Sequence, residues 1–301
     1  MATLNELTEQ TLGEMSSYVR NQESVTTTTG NVGATDLSIT VDDTKALSKG
    51  IIEIDDELLY VKNTVESSGT VLILGAAANP TGRGWRGTTR ATHVAGAIVR
   101  NNPIFPKSQI KRAIQETIKG MNFPVIANET FTFNGSDYSY VMPDSLVDIT
   151  GVSWDVPDST GVWSLIRRWR LDTNYSIATT SGTTTGQALI LNEAPQPGRE
   201  VRVQYTKYPT VITDEQDLTA SGLPASCEDV VRLGAMYRLL STVDSGKVAV
   251  TSVSADALDA PVPAGASTSA AKYIFQLYTV RLGEEIAKQQ ANFLNTIQYS
   301  R

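Results

Sequence analysis

The chain has 301 residues, of which 41% are hydrophobic and 19% charged, and a formal net charge of −7. That length supports two or more domains with cores of their own, and the composition excludes a disordered chain. The acidic excess opposes nonspecific attraction to DNA phosphates, the single cysteine, Cys227, excludes an internal disulfide framework, and no window has the length and apolarity of a membrane span. The opening MATLNELTEQ carries neither a basic n-region nor an apolar h-region, so neither secretion nor insertion is expected.

Leu4, Leu7, Met15 and Tyr18 recur at helical spacing and predict a first helix to about Arg20, before a threonine-rich stretch at 26–33 breaks the pattern. Leu37, Ile39 and Val41 alternate as one strand face and open a β module over 34–102. Within it, Ile51, Ile52 and Ile54 lead into Asp55-Asp56, and Leu58, Leu59, Tyr60 and Val61 follow, the pattern of a hairpin with a tight acidic turn. A loop punctuated by Gly82, Gly84 and Gly87 then leads to a short strand at 97–100.

Beyond Pro103 and Pro106, the residues Ile110, Ala113, Ile114, Ile118 and Met121 form one apolar stripe, predicting a second helix that ends near Gly120 ahead of Pro124. From 125 to 208 the chain turns to short alternating runs such as Phe131-Thr132-Phe133 and Val201-Arg202-Val203, predicting a second β domain over 125–212. Ser226 and Asp229 open a third helix with Val230, Leu233, Tyr237 and Leu240 on one face, and 243–267 is a long Ala/Ser/Pro-rich loop. Tyr273, Leu277, Val280, Ala287 and Leu294 recur in a heptad-like stripe and predict the longest helix. The expected fold class is α+β: a core bundle of about four helices, contributed by 1–24, 103–124 and 213–301, with two β-rich insertions resembling barrels or sandwiches.

Chemical signatures are sparse. Gly82, Gly84 and Gly87 match G-x-G-x-x-G, but Thr88-Thr89-Arg90-Ala91-Thr92-His93 leads to a strand where a dinucleotide site needs a helix, so the glycines indicate turns. His93 is the only histidine, and no G-x-S-x-G elbow accompanies it, which favours a structural hydrogen bond over catalysis. The acidic groups Asp55-Asp56-Glu57 and Asp214-Glu215-Gln216-Asp217 lack the spacing of a calcium loop and are expected to be solvated turns. No catalytic, cofactor-binding or metal-binding residue is assigned. Trp85, Arg83 and Arg86, with Arg167, Arg168 and Arg170, are candidates for contacts with neighbouring subunits or another protein, because Trp and Arg anchor interfaces.

The segment GIIEIDDELLYVKNTVESSGTVLILGAAANPTGRGWRGTTRATHVAGAIVR resembles a β module that recurs in virion proteins of tailed bacteriophages. The succession YSYVMPDSLVDITGVSW, WSLIRRWRLDTNYSI, QALILNEAPQPGREVRVQYTKYP and LPASCEDVVRLGAMYRLL resembles the head-to-tail adaptor, or connector, family of those phages. The resemblance implies a structural virion protein, assembled in the host cytoplasm and located at the head–tail junction. In that setting copies form a dodecameric ring under the portal protein, extend the DNA channel and present a surface to the next neck or tail protein. It further implies DNA passage without specific binding and no membrane partner. On that basis Asp244, Glu284 and Glu285 are candidates for a DNA-repelling channel lining, and Phe293, Leu294, Ile297 and Tyr299 for a portal-docking tail. The alternative is another neck or tail protein whose β regions bind a receptor or glycan through exposed aromatics such as Trp85, Trp154 and Trp163.

Overall fold

Thr3 starts the first element, since its hydroxyl accepts from the Glu6 N–H at 3.2 Å while the Glu6 carboxylate accepts from the Thr3 N–H at 2.9 Å. This reciprocal cap opens helix α1 (Leu4–Ser16) in the computed structural model, which describes residues 2–18, 23–76, 78–157, 161–179, 182–242 and 266–292. The helix buries Leu4, Leu7, Thr8, Thr11 and Met15. The two buried threonine hydroxyls donate to the carbonyls of Leu4 and Leu7, each at 2.7 Å, so neither is left unsatisfied.

Six short strands follow: β1 (Val25–Thr27), β2 (Ser38–Thr40), β3 (Gly50–Ile54), β4 (Glu57–Val65), β5 (Thr70–Ile73) and β6 (Ile98–Asn101). They form one antiparallel sheet in the order β1-β6-β3-β4-β5-β2. Its outer strands meet: Thr28 bridges Val41, and the N–H groups of Thr29 and Asp42 donate to Thr40 and Thr27 at 3.0 and 2.9 Å. The sheet therefore curls over a core that includes Ile39, Ile52, Ile54, Val61, Val71 and Val99, and its edges are covered by each other. The acidic turn forms as the sequence predicts, with Asp55 in the left-handed region at φ 53°. The threonine-rich stretch supplies β1, so the module begins at Val25 rather than at 34.

Helix α2 (Lys107–Gly120) buries its whole predicted stripe, Ile110, Ala113, Ile114 and Ile118, with Met121 just beyond it. The later strands are β7 (Val125–Thr132), β8 (Ser139–Met142), β9 (Leu146–Asp155), β10 (Trp163–Leu165), β11 (Trp169–Thr179), β12 (Gly182–Leu191) and β13 (Glu200–Lys207). They make two antiparallel sheets, β10-β9-β13-β7 and β11-β12-β8, whose inward residues, among them Phe133, Met142, Val152, Leu189 and Val203, share one apolar core. Helices α3 (Glu228–Thr242) and α4 (Ala266–Asn292) complete the described elements.

The chain divides into two compact units, each discontinuous in sequence. One comprises Met1–Thr117, Ile212–Leu218 and Ser226–Arg281, and the other Ile118–Val211, Thr219–Ala225 and Leu282–Arg301.

This is an α+β protein, but the helices do not form its core bundle, which corrects the expectation from the sequence. The two β regions each own a buried apolar cluster. The heptad-like row on α4 faces outward instead of into a bundle, with Tyr273 58%, Leu277 36% and Val280 60% exposed. Its inward row is offset, with Ala271 and Ile274 buried and Tyr278 half-buried. On α3 the buried set is Val230, Val231, Gly234, Ala235, Met236, Leu239 and Leu240, while Leu233 and Tyr237 are only half-buried. Apolar residues on two faces of a helix satisfy more than one periodic reading, and only packing decides between them.

Helix packing in the first unit is tightest at Gly234, where an added Cβ would lie 2.2 Å from Thr117 Cγ2 and 3.0 Å from Tyr278 Cε2. Thr117 is held there, because its hydroxyl donates to the Ala113 carbonyl at 2.7 Å. We predict that Gly234→Ala lowers stability by about 1–3 kcal/mol in urea unfolding despite the better helix propensity of alanine. Adding Thr117→Ser, which deletes the obstructing methyl and keeps the hydroxyl, should recover most of that loss.

Candidate functional site

Glu57 is the first residue of β4 and follows the acidic turn, so its side chain enters the first unit beneath the loop at 82–93. Its carboxylate is fully buried and is hydrogen-bonded on both oxygens. Oε1 accepts from Arg83 Nε and the Gly84 N–H, each at 2.8 Å; Oε2 accepts from Arg83 Nη2 at 2.8 Å and the Ala91 N–H at 3.0 Å. His93 Nε2 lies 3.0 Å from the same Oε2, and His93 Nδ1 lies 2.7 Å from Asp55 Oδ2. Arg83 spends its other protons on the carbonyls of Gly33, Asp36 and Ala91 at 2.5, 3.0 and 2.7 Å. Asp55, Glu57, Arg83 and His93 thus form a cluster in which two negative charges face two positive ones.

Burial works against a charge on His93, but hydrogen bonds to Glu57 and Asp55 and the charge of both carboxylates outweigh it and raise its pKa. A carboxylate faces each ring nitrogen, an arrangement that favours the doubly donating, charged form of the imidazole, and that form has no lone pair with which to take up a proton. Burial likewise pushes the Glu57 carboxyl up, yet the donors Arg83, His93, Ala91 and Gly84 reverse that effect and hold it at about 2. The nearby Thr88 hydroxyl is engaged too, accepting from the Leu58 N–H and donating to the Trp85 carbonyl, both at 3.0 Å. Among the described residues no three His, Cys, Asp or Glu side chains are disposed to hold a metal ion.

The cluster braces a loop of unusual backbone. Gly84, Arg86 and Gly87 all have positive φ, at 60°, 56° and 83°, and Arg86 is a side-chain-bearing residue in the left-handed region. Outside the loop lies an open cavity of about 770 Å³, bounded also by Ser108, Lys111 and Arg112 of α2 and by Asp214. Lys111 Nζ crosses it to Asp56 at 2.6 Å and Asp214 at 3.0 Å.

The residues singled out from sequence fall in several places. Arg83 is buried at 1% exposure and is a brace rather than a contact residue, whereas Arg86 is exposed and available. Trp85 is half-buried, with its ring centroid 4.9 Å from that of Tyr60. Arg167 and Arg168 are exposed in the connection between β10 and β11, and only Arg170 lies on a strand. The Trp163 ring is covered by the Arg202 guanidinium at 4.2 Å, so this face is not an open stacking platform. Glu284 is exposed; Glu285 is 2% exposed and pairs with Lys288 Nζ at 2.5 Å, which removes it from an open channel surface. Asp244, Phe293, Leu294, Ile297 and Tyr299 lie outside the described residues.

Two features were not anticipated. Glu57 was expected to be solvated and is buried, although its place at the start of the apolar strand that follows the Asp55-Asp56 turn offered a signal. Glu53 interrupts the apolar run Ile51-Ile52-Glu53-Ile54 and is buried against Arg100. A charged residue inside such a run calls for a buried partner.

No protein-family model matches the chain, and no curated protein matches it either.

The charged His93 stabilises the fold fully below its ordinary pKa of 6.5, and this contribution is lost as pH rises through the raised folded value. For Glu57, held below its ordinary 4.5, the stabilisation is present above 4.5 and lost as pH falls towards about 2. His93→Gln should therefore cost about 3–5 kcal/mol at pH 6, the range for breaking a buried pair, and distinctly less at pH 9. Thermal melts of both proteins at the two pH values measure the difference.

Proposed function

We propose that this chain is a structural virion protein of a tailed bacteriophage, a head-to-tail adaptor whose copies close into a ring under the portal. The observation that carries this reading is that α4 is apolar on two sides. One row, Ala271, Ile274 and Tyr278, packs inward, and the other, Tyr273, Leu277 and Val280, is uncovered. A contiguous exposed apolar row marks an association surface. Its spacing of four and three residues suits the seam of another helix, and identical copies joined head to tail close into a ring when the rotation between them permits.

The motifs behind the family resemblance fall on β8–β9, β10–β11, β12–β13 and α3 of this chain. Under this reading the ring is a dodecamer that extends the DNA channel. Glu284, and Asp244 beyond the described residues, supply negative charge towards passing DNA, which keeps phosphates from lingering. Phe293, Leu294, Ile297 and Tyr299 engage the portal, and the exposed Arg86, Arg167, Arg168 and Arg170 remain for neighbours or the next tail component.

Leu277→Asp with Val280→Asp places charges on the uncovered row while leaving the inward row intact. The double variant should keep the wild-type melting temperature but fail to form rings on isolated portal particles, as read by electron microscopy and sedimentation velocity. Rings of unaltered stoichiometry would refute this role for α4.

A further inference from the structure

Away from the cavity, three segments of the first unit converge on the guanidinium of Arg100 in β6. Glu53, its register partner on β3, is 1% exposed on its side chain, and its Oε2 meets Arg100 Nη1. From the other side comes Glu23, just before β1, whose Oε2 accepts from Arg100 Nε at 2.8 Å and lies 2.5 Å from Nη2. Each carboxylate uses its second oxygen on the linker that joins β6 to α2. Glu23 Oε1 accepts from the Ile104 N–H at 2.8 Å, and Glu53 Oε1 accepts from the Lys107 N–H, the first of α2, at 2.6 Å. Arg100 closes the ring of contacts by reaching the Phe105 carbonyl at 3.4 Å. Within this linker, Asn102 has φ 47°.

The charge count does not balance as it stands. Two carboxylates share one guanidinium, so the group carries one excess negative charge when both are ionised, and a single proton makes it neutral. The remaining charged group facing Glu53 is Lys107, whose Nζ is paired with Glu9 of α1 at 2.5 Å and is therefore largely committed elsewhere.

We infer that Glu23, Arg100 and Glu53 form a proton-operated clasp on the linker between β6 and α2, tighter when Glu53 is protonated. The proton comes from solvent and neutralises the Glu53 carboxyl. Oε1 continues to accept from the Lys107 N–H, and the guanidinium turns its full charge to Glu23. Deprotonation returns both carboxylates to one cation and loosens the hold on the Ile104–Lys107 stretch. Burial, the largest influence, pushes the Glu53 carboxyl up to about 7 against the pull of Arg100 and of the Lys107 amide and charge, and Glu23 adds to the rise. Protonation thus falls in the range in which a cell interior or an acidified compartment can change it.

The test is a side-chain carboxyl carbon titration of the full-length protein by NMR between pH 5 and 9, with Glu53→Gln used to assign the resonance. One glutamate, Glu53, should titrate near neutrality, and the protection factors at Ile104 and Lys107, exchange rates corrected for base catalysis, should be higher below that midpoint than above it. In Glu23→Gln the guanidinium belongs to Glu53 alone, and its titration should move down. His93→Gln should leave it in place, which separates this group from the Glu57 cluster. If Glu53 titrates with the ordinary glutamates, or if its midpoint is unmoved in Glu23→Gln, the clasp is overturned. Should Glu53→Gln fail to fold, the remaining glutamate variants still assign the signal by elimination, and the Glu23→Gln comparison decides.

Discussion

The first unit depends on one buried carboxylate. Ionised and withdrawn from water, Glu57 carries a desolvation penalty of several kcal/mol, and only a full set of donors makes such a group tolerable. Five are supplied by three stretches of a single loop: Arg83 and Gly84 where it leaves the sheet, Ala91 in its course and His93 where it returns. The loop cannot relax without stripping a donor from the charge. For the same reason, a backbone with three residues at positive φ can persist, since the strain at Arg86 is small beside the cost of an unpaired carboxylate. Arg83 extends the constraint through carbonyls of the 33–36 segment, so that sheet, loop and turn are fixed together.

Against this background, what could be foreseen from the sequence follows from the kind of interaction involved. The α2 stripe was legible because its apolar residues occupy one face only, leaving a single way to bury them. The β3–β4 hairpin was legible because two apolar runs flank a two-residue acidic turn. The expected helical bundle was mistaken, because Tyr273, Leu277 and Val280 have the spacing of a core row, and nothing local distinguishes them from the row of Ala271, Ile274 and Tyr278 that packs inward. The role of Arg83 was hidden for a related reason. Neighbouring Trp85 and Arg86 share its local character, and only the tertiary position of Glu57, 26 residues away, separates the buried arginine from the exposed one.

The two ionic groups solve different problems in a small sheet. The cluster around Glu57 is balanced when His93 is protonated, two charges against two, and its geometry holds a loop in place. The group around Arg100 is unbalanced by one charge, and an unbalanced buried group has two states separated by a proton. Both lie on β strands that the hydrophobic pattern alone would place correctly, so their contribution is less to which strands pair than to where the connecting segments go. The first sets the loop above the cavity; the second sets the entry of the chain into α2.

That distinction bears on assembly. A protein that joins identical copies must present its association surface in a defined orientation, because each error in angle is repeated at every interface before a ring closes. Apolar helix rows supply attraction without much directional preference, as the uncovered face of α4 illustrates, and angular definition must come from rigid polar contacts. In the first unit that definition is available where Asp229 receives Arg281 Nε at 2.7 Å, fixing α3 to α4, and where Gly234 admits Thr117 and Tyr278 at close range. An adaptor ring would then combine a greasy, permissive seam with helices whose inner contacts leave little freedom, and it is the second property that lets the first produce a closed object instead of an open aggregate.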